Sequence, residues 1–214
     1  MPASSRIIDL RNLLQERFPQ PQIAAQDRFA TGIAPLDAAT DGGLPKGAIT
    51  ELTSPHLSSG SASIIAALLQ RAHVERQFLA LIDGRDSFDP QPLGNAPLRN
   101  LLWVRCTKAL EAVKAADLLL RDGNFPLVIL DLVLNSAEEL RKIPQTSWYR
   151  LQRLAEPLSS AFLVLTRRSM ISSAQMKLVL EHQWRLADLQ EDRDFSRIKV
   201  DVQRVQGGRQ ELAV

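Results

Sequence analysis

Short apolar runs separated by stretches of helical period restrict this chain to a parallel sheet with crossover helices. The runs fall at residues 48–52, 78–82, 101–105, 127–130 and 161–165. Leu127-Val128-Ile129-Leu130 shows no apolar–polar alternation, which marks a strand covered on both faces. Between the runs, residues 63–75, 108–121 and 145–158 carry Ala, Ile and Leu at helical spacing. Beyond 165 the pattern changes. Residues 178–189 and 197–205 read as longer strands, and Gly207-Gly208 supplies a turn toward 211–214. The expected fold is α/β: a mostly parallel sheet with crossover helices and an antiparallel C-terminal edge.

An amphipathic helix precedes this core. Ile7, Leu10, Leu13, Leu14 and Phe18 recur at helical spacing, Ser5 is placed to cap the start, and Pro19 stops it. Pro19-Gln20-Pro21-Gln22 then reads as an extended linker, because proline turns its predecessor away from helix. Residues 1–28 thus form a helix and linker, and residues 29–214 the core domain. The stripe Ile7, Leu10, Leu13 and Leu14 must be covered, either by the chain's own core or by a neighbouring molecule.

Composition adds limits. With 214 residues, 45% of them hydrophobic and 23% charged, the chain suits one globular domain. No apolar stretch reaches the ~20 residues of a membrane span. The N-terminus has no secretory apolar region, and Cys106 alone makes no internal disulfide, so a reducing cytoplasm is the expected location. The net charge of +2 does not by itself point to nucleic acid. Residues 141–214, however, hold 13 Lys/Arg against 8 Asp/Glu, a weak basic bias that scattered solvated charge also explains.

The loop after the first core strand is where such a sheet binds its ligand. It reads Thr53-Ser54-Pro55-His56-Leu57-Ser58-Ser59-Gly60-Ser61-Ala62-Ser63. A working phosphate loop needs glycines, a lysine for the terminal phosphates and a Ser/Thr hydroxyl for magnesium. Ser58, Ser59 and Gly60 keep part of that frame. Ser61 stands in the lysine's place and Ala62 in the hydroxyl's, which removes both the cation and the metal ligand. Asp131 closes its apolar run where an ATPase of this plan holds its magnesium–water network. Without companions it is expected to cap a turn or accept loop amides. His73 and His182 have no partners at metal-ligand spacing. No cofactor, metal or catalytic residue is expected.

The segments Thr31-Gly32-Ile33-Ala34-Pro35-Leu36-Asp37, Gly42-Gly43-Leu44-Pro45-Lys46-Gly47 and Ser58-Ser59-Gly60 resemble the lead-in and phosphate loop of the RecA recombinase core. Ile82-Asp83, Phe88-Asp89-Pro90 and Leu93-Gly94 resemble that family's stretch after its second strand, and 127–131 its metal-side strand. The resemblance covers most of 29–205 and implies a RecA-like core. The strand ending Leu165-Thr166-Arg167-Arg168 departs from it, lacking the polar pair that senses nucleotide in RecA.

A short RecA-like chain with an eroded phosphate loop is similar to the ImuA family, accessory proteins of damage-induced mutagenic translesion synthesis. That resemblance implies a non-catalytic adaptor of the SOS response. Its implied partners are RecA, an ImuB-type polymerase-related protein and an error-prone polymerase. The N-terminal stripe is a candidate docking surface for RecA or for a second copy of the chain. Two other readings stay open: a residual ATP-binding RecA paralogue, and a division inhibitor of the related SulA type. Arg167, Arg168 and Lys177 flank the loop where RecA grips single-stranded DNA, and are candidate DNA contacts of salt-sensitive kind. Trp148 with Tyr149, and Trp184, offer either stacking faces or core packing.

Overall fold

The computed structural model describes residues 28–56, 59–181 and 198–205. A two-stranded antiparallel hairpin opens it, pairing β1 (Arg28–Phe29) with β2 (Leu44–Pro45). Between them lies a short helix, α1 (Ala34–Ala39). Asp37 organises this lead-in. Its carboxylate accepts from the backbone N–H of Thr31 and of Gly32, each at 2.8 Å, and from the Thr31 hydroxyl at 2.7 Å. The Thr-Gly…Asp spacing noted in the sequence is therefore a loop clamp. Gly43 completes it at φ +136°, where an added Cβ would strike the Phe29 carbonyl.

The core is a seven-stranded sheet built from β3 (Ile49–Thr53), β4 (Leu79–Asp83), β5 (Leu101–Arg105), β6 (Leu127–Asp131), β7 (Ala161–Thr166), β8 (Met176–Leu180) and β9 (Val200–Val205). Its order is β5-β4-β6-β7-β3-β8-β9. All neighbours pair in parallel except β8 and β9, which form the antiparallel edge. The expected fold class is the one observed.

Helices cover both faces. α2 (Ser61–Val74) sends Ile64, Ile65, Leu68 and Leu69 against Leu52, Leu79, Leu81 and Ile129. On the other face α4 (Ala109–Asp122) and α6 (Gln145–Ala155) bring Ala112, Ala116, Trp148 and Leu151 against Ala80, Ile82, Leu130 and Phe162. Alternate residues of one strand thus serve opposite layers. The central strands are buried along nearly their whole length, which is why they read as unbroken apolar runs. Trp148 is a core residue, and Tyr149 beside it is exposed.

Two further short helices, α3 (Asn95–Leu98) and α5 (Ala137–Arg141), connect strands. α5 starts with a capping box: Ser136 Oγ accepts from the Glu139 N–H at 3.2 Å, and the Glu139 carboxylate accepts from the Ser136 N–H at 3.2 Å.

The tail needs correcting. The strand expected at 178–189 runs from Met176 to Leu180, and its partner starts at Val200, not 197. Residues 182–197 and the turn expected at 207–208 lie outside the described residues. Lys177 is consequently a strand residue, the second of β8.

Candidate functional site

The parallel strands point their carboxyl ends at one rim, and the loop after β3 crosses it. The Ser54 N–H donates to the Thr166 carbonyl at 2.7 Å, tying the loop's start to the end of β7. The loop then turns on itself: Ser59 Oγ accepts from the His56 N–H at 3.1 Å, and the Ser59 N–H donates to the His56 carbonyl at 3.1 Å. Ser58 lies outside the described residues. Gly60 takes the N-cap position of α2 at φ +97°, in the left-handed region where glycine is at ease. Ser61 and Ala62 form the helix's first turn.

This helix start opens onto a cavity of about 310 Å³ that brings Ser61 and Ala62 together with Asp89 and Asp131. Among the described residues two carboxylates line it, and no lysine or arginine does. Asp131, partly buried, accepts from the Val133 N–H at 3.0 Å, the loop-amide role expected for it. Burial pushes its carboxyl up to about 6, and the neighbouring Asp83 adds to the rise while the Val133 N–H opposes it. Asp83, its in-register neighbour on β4, is buried and occupied by the N–H groups of Ser87 and Phe88, each at 2.8 Å.

Magnitudes decide what such a cavity holds. Like unit charges about 5 Å apart near a protein surface repel by roughly 3 kcal/mol. The free amides of a helix start return only about 0.3–1 kcal/mol. A polyphosphate set against Asp89 and Asp131 lacks any compensating cation among the lining residues.

A second, larger cavity of about 610 Å³ lies beside it, and its charge is opposite. Among the described residues Arg141, Arg167 and Arg168 line it, and no Asp or Glu does. Arg167 and Arg168 directly follow β7, next to Pro55 of the loop after β3. The segment carrying them is anchored from below by Glu51, a fully buried acid in the middle of β3. Glu51 accepts from the Met170 N–H at 2.7 Å, the Ile171 N–H at 3.2 Å and the Ser169 hydroxyl at 3.1 Å. Lys177 Nζ pairs with the same carboxylate at 3.0 Å and donates to Ser169 Oγ at 2.8 Å.

The candidate residues therefore separate into three groups. Ser59, Gly60, Ser61, Ala62 and Asp131 gather at the phosphate-loop end of the sheet. Arg167 and Arg168 face the second cavity, whereas Lys177 is engaged with Glu51 at the base of the loop. Ile7, Leu10, Leu13 and Leu14 lie outside the described residues, as does Trp184. Glu51 and Arg141 were not singled out from the sequence. An acid inside an apolar strand run is the one signal that pointed to Glu51, since a buried charge requires a partner. Arg141 carried no signal. Cys106 is buried, and burial pushes its thiol up, away from reactivity.

These features define a RecA-like α/β core. The chain is 33% identical to Protein RecA of Acinetobacter baumannii over 121 residues, which is 55% of this chain and 34% of that protein. It is 32% identical to Protein RecA of Frankia alni over 106 residues, 48% of this chain and 30% of that protein. The DNA repair protein recA homolog 1, chloroplastic, of Arabidopsis thaliana is 31% identical over 113 residues, 51% of this chain and 25% of that protein. The chain thus spans between a quarter and about a third of the length of these curated relatives. No family model matches it. Among the described residues no helix is long and apolar enough to cross a membrane.

Proposed function

We propose that this chain is a non-catalytic RecA-like accessory protein of the ImuA kind. On this reading it works as an adaptor in damage-induced mutagenic translesion synthesis, binding RecA and an ImuB-type polymerase partner, and does not hydrolyse ATP. The observation that carries the non-catalytic part is the cavity at Gly60, where Ser61, Ala62, Asp89 and Asp131 stand and no cation does. With Ser61 in the lysine's place and Ala62 in the place of the magnesium-holding hydroxyl, the site lacks the side chains that stabilise a transferring phosphoryl group. The adaptor part is supported by the RecA-like core that remains once this chemistry is gone, and by the similarity to RecA proteins over about half the chain.

Titration calorimetry of the full chain with ATP and magnesium tests the first part. The expected result is no saturable heat in the micromolar range, and a micromolar, magnesium-dependent affinity overturns it. Co-purification from damage-treated cells tests the second, with recovery of RecA and polymerase-related proteins expected. Loss of RecA from the Leu10→Asp/Leu14→Asp variant would assign that contact to the N-terminal stripe.

A further inference from the structure

We propose that the arginine-lined cavity is a docking cleft for a short acidic segment of a partner protein, carrying aliphatic residues among its carboxylates. The proposal rests on the adaptor reading and gives that reading a surface and a ligand chemistry.

Charge supports it first. Arg141, Arg167 and Arg168 are exposed and line a cavity that no carboxylate of the described residues lines. Several other arginines of the described surface are matched, although Arg76, Arg99 and Arg153 are exposed singly without an ion pair. Arg71 pairs with Glu75, Arg105 with Asp86, and Arg121 and Arg150 share Asp117. Arg167 and Arg168 have no such partner among the described residues. Arg141 directs only its Nε inward, to the Ala137 carbonyl at 3.1 Å. Unmatched guanidiniums around one cleft present forks suited to carboxylates.

The floor distinguishes a peptide from a nucleic acid. Leu134, Leu140, Ile143 and Met170 form it, with Leu134 48% exposed, and among the described residues no aromatic side chain lines the cleft. Proteins that hold single strands without sequence preference stack bases on aromatic side chains. An aliphatic floor offers no such platform but buries a leucine or isoleucine well. Nor is the neighbouring helix start a phosphate nest. The capping box of Ser136 and Glu139 already occupies its amide and sets a carboxylate beside it. A volume of about 610 Å³ takes a few side chains, not a folded surface.

Finally, the cleft is preformed. Glu51 fixes the backbone of Met170 and Ile171 directly after the two arginines, so little ordering remains to be done on binding.

Fluorescence anisotropy on the full chain tests this with a labelled short peptide alternating aspartate and leucine. Its asparagine-for-aspartate version and a labelled oligothymidylate serve as comparisons. The acidic peptide is expected to bind with a Kd of about 10 µM or tighter, weakening with salt. The Arg167→Glu/Arg168→Glu and Leu134→Asp variants are each expected to lose about tenfold or more, the asparagine peptide likewise. All these substitutions replace exposed side chains, and unchanged thermal midpoints will show that the fold is kept. Should a charge-reversed chain not fold, Arg167→Gln/Arg168→Gln reads the same loss. Peptide binding that survives these substitutions overturns the proposal. So does oligothymidylate binding tighter than the peptide at the same arginines.

Partner capture separates the two readings. If the wild-type chain captures no translesion partner while the acidic peptide still binds at the arginines, the adaptor reading falls and the cleft stands. If wild-type and Arg167→Glu/Arg168→Glu chains capture the same partners equally, the cleft falls and the adaptor reading stands.

Discussion

Replacing Glu51 by glutamine probes what holds the arginine-bearing loop. The side chain is completely buried, and its Oε1 accepts the Met170 and Ile171 amides at 2.7 and 3.2 Å. An amide oxygen of the same shape can keep both bonds. The other half cannot be kept. Oε2, which receives Lys177 at 3.0 Å and the Ser169 hydroxyl at 3.1 Å, becomes an NH2 facing two donors. Removing one partner of a buried pair costs about 3–5 kcal/mol, because it strands the other charge. Lys177 is 15% exposed and keeps its bond to Ser169, so the lower end, about 3 kcal/mol, applies. For a domain of this size that lowers the thermal midpoint by roughly 6–12 °C. In Glu51→Gln/Lys177→Met the stranded ammonium is gone, and about half the loss should return, since apolar replacement of a whole pair is often near neutral. Urea unfolding followed by tryptophan fluorescence reads both variants. A Glu51→Gln chain within about 0.5 kcal/mol of wild type, or a double variant no more stable than the single one, refutes the account. Affinity for the acidic peptide should fall with Glu51→Gln as well, because the arginines lose their fixed base.

Asp131→Asn is expected to stabilise the protein at neutral pH. The carboxyl titrates at about 6 in the fold and near 3.9 when unfolded, so the native state binds the extra proton between those values. Its contribution is intact below about pH 4, declines as pH rises through 6, and stays lost above. The variant should gain on the order of 2 kcal/mol at about pH 7.5 and nothing near pH 4, read as urea midpoints across that range. Gly43→Ala forces a Cβ into the Phe29 carbonyl at φ +136° and should cost about 2–3 kcal/mol by the same measurement. Trp148→Ala, emptying a fully buried site, should cost about 3–5 kcal/mol. Tyr149→Ala, exposed one residue on, should stay within about 0.5 kcal/mol in thermal melts.

The sheet was legible because burial on both faces leaves an unbroken apolar signature, and β5 was read to the residue. Elsewhere the error is systematic. Thr53, Asp83, Asp131 and Thr166 are polar yet still paired at the carboxyl ends of β3, β4, β6 and β7, and four of the five expected runs stop just short of such a residue, while 48–52 and 78–82 also start one early. Polarity reads as loop, although at this rim it is what faces a ligand. The hairpin of β1 and β2 gave no signal, since two residues establish no period and Pro45 argues against a strand. α1 and α5 are too short for helical spacing to show. Of the site residues, Gly60, Ser61 and Ala62 could be placed together at a helix start because they are consecutive in the sequence. The arginine cleft could not. Arg141 meets Arg167 and Arg168 only because β6 and β7 are neighbours in the sheet. Lys177 was read as a candidate DNA contact, and the carboxylate that pairs with it, Glu51, could not be paired with it in advance because it lies on a strand far away in sequence.

The two cavities share Leu134 and the same end of the sheet, yet their charges are inverted. A nucleotide-driven machine needs a cation and a magnesium-holding hydroxyl at the first of them, at the positions where Ser61 and Ala62 stand beside Asp89 and Asp131. It also needs a segment after β7 that can answer the nucleotide's state. Here that segment is tied to Glu51 through two backbone amides and a hydroxyl, with Lys177 closing the charge. Rearranging it would strand a fully buried carboxylate, a cost of several kcal/mol that a weak anion at Gly60 could not meet. A loop locked in this way suits recognition more than switching. On the non-catalytic reading proposed above, rigidity after β7 loses nothing and holds the arginines ready for the anionic partner proposed for them.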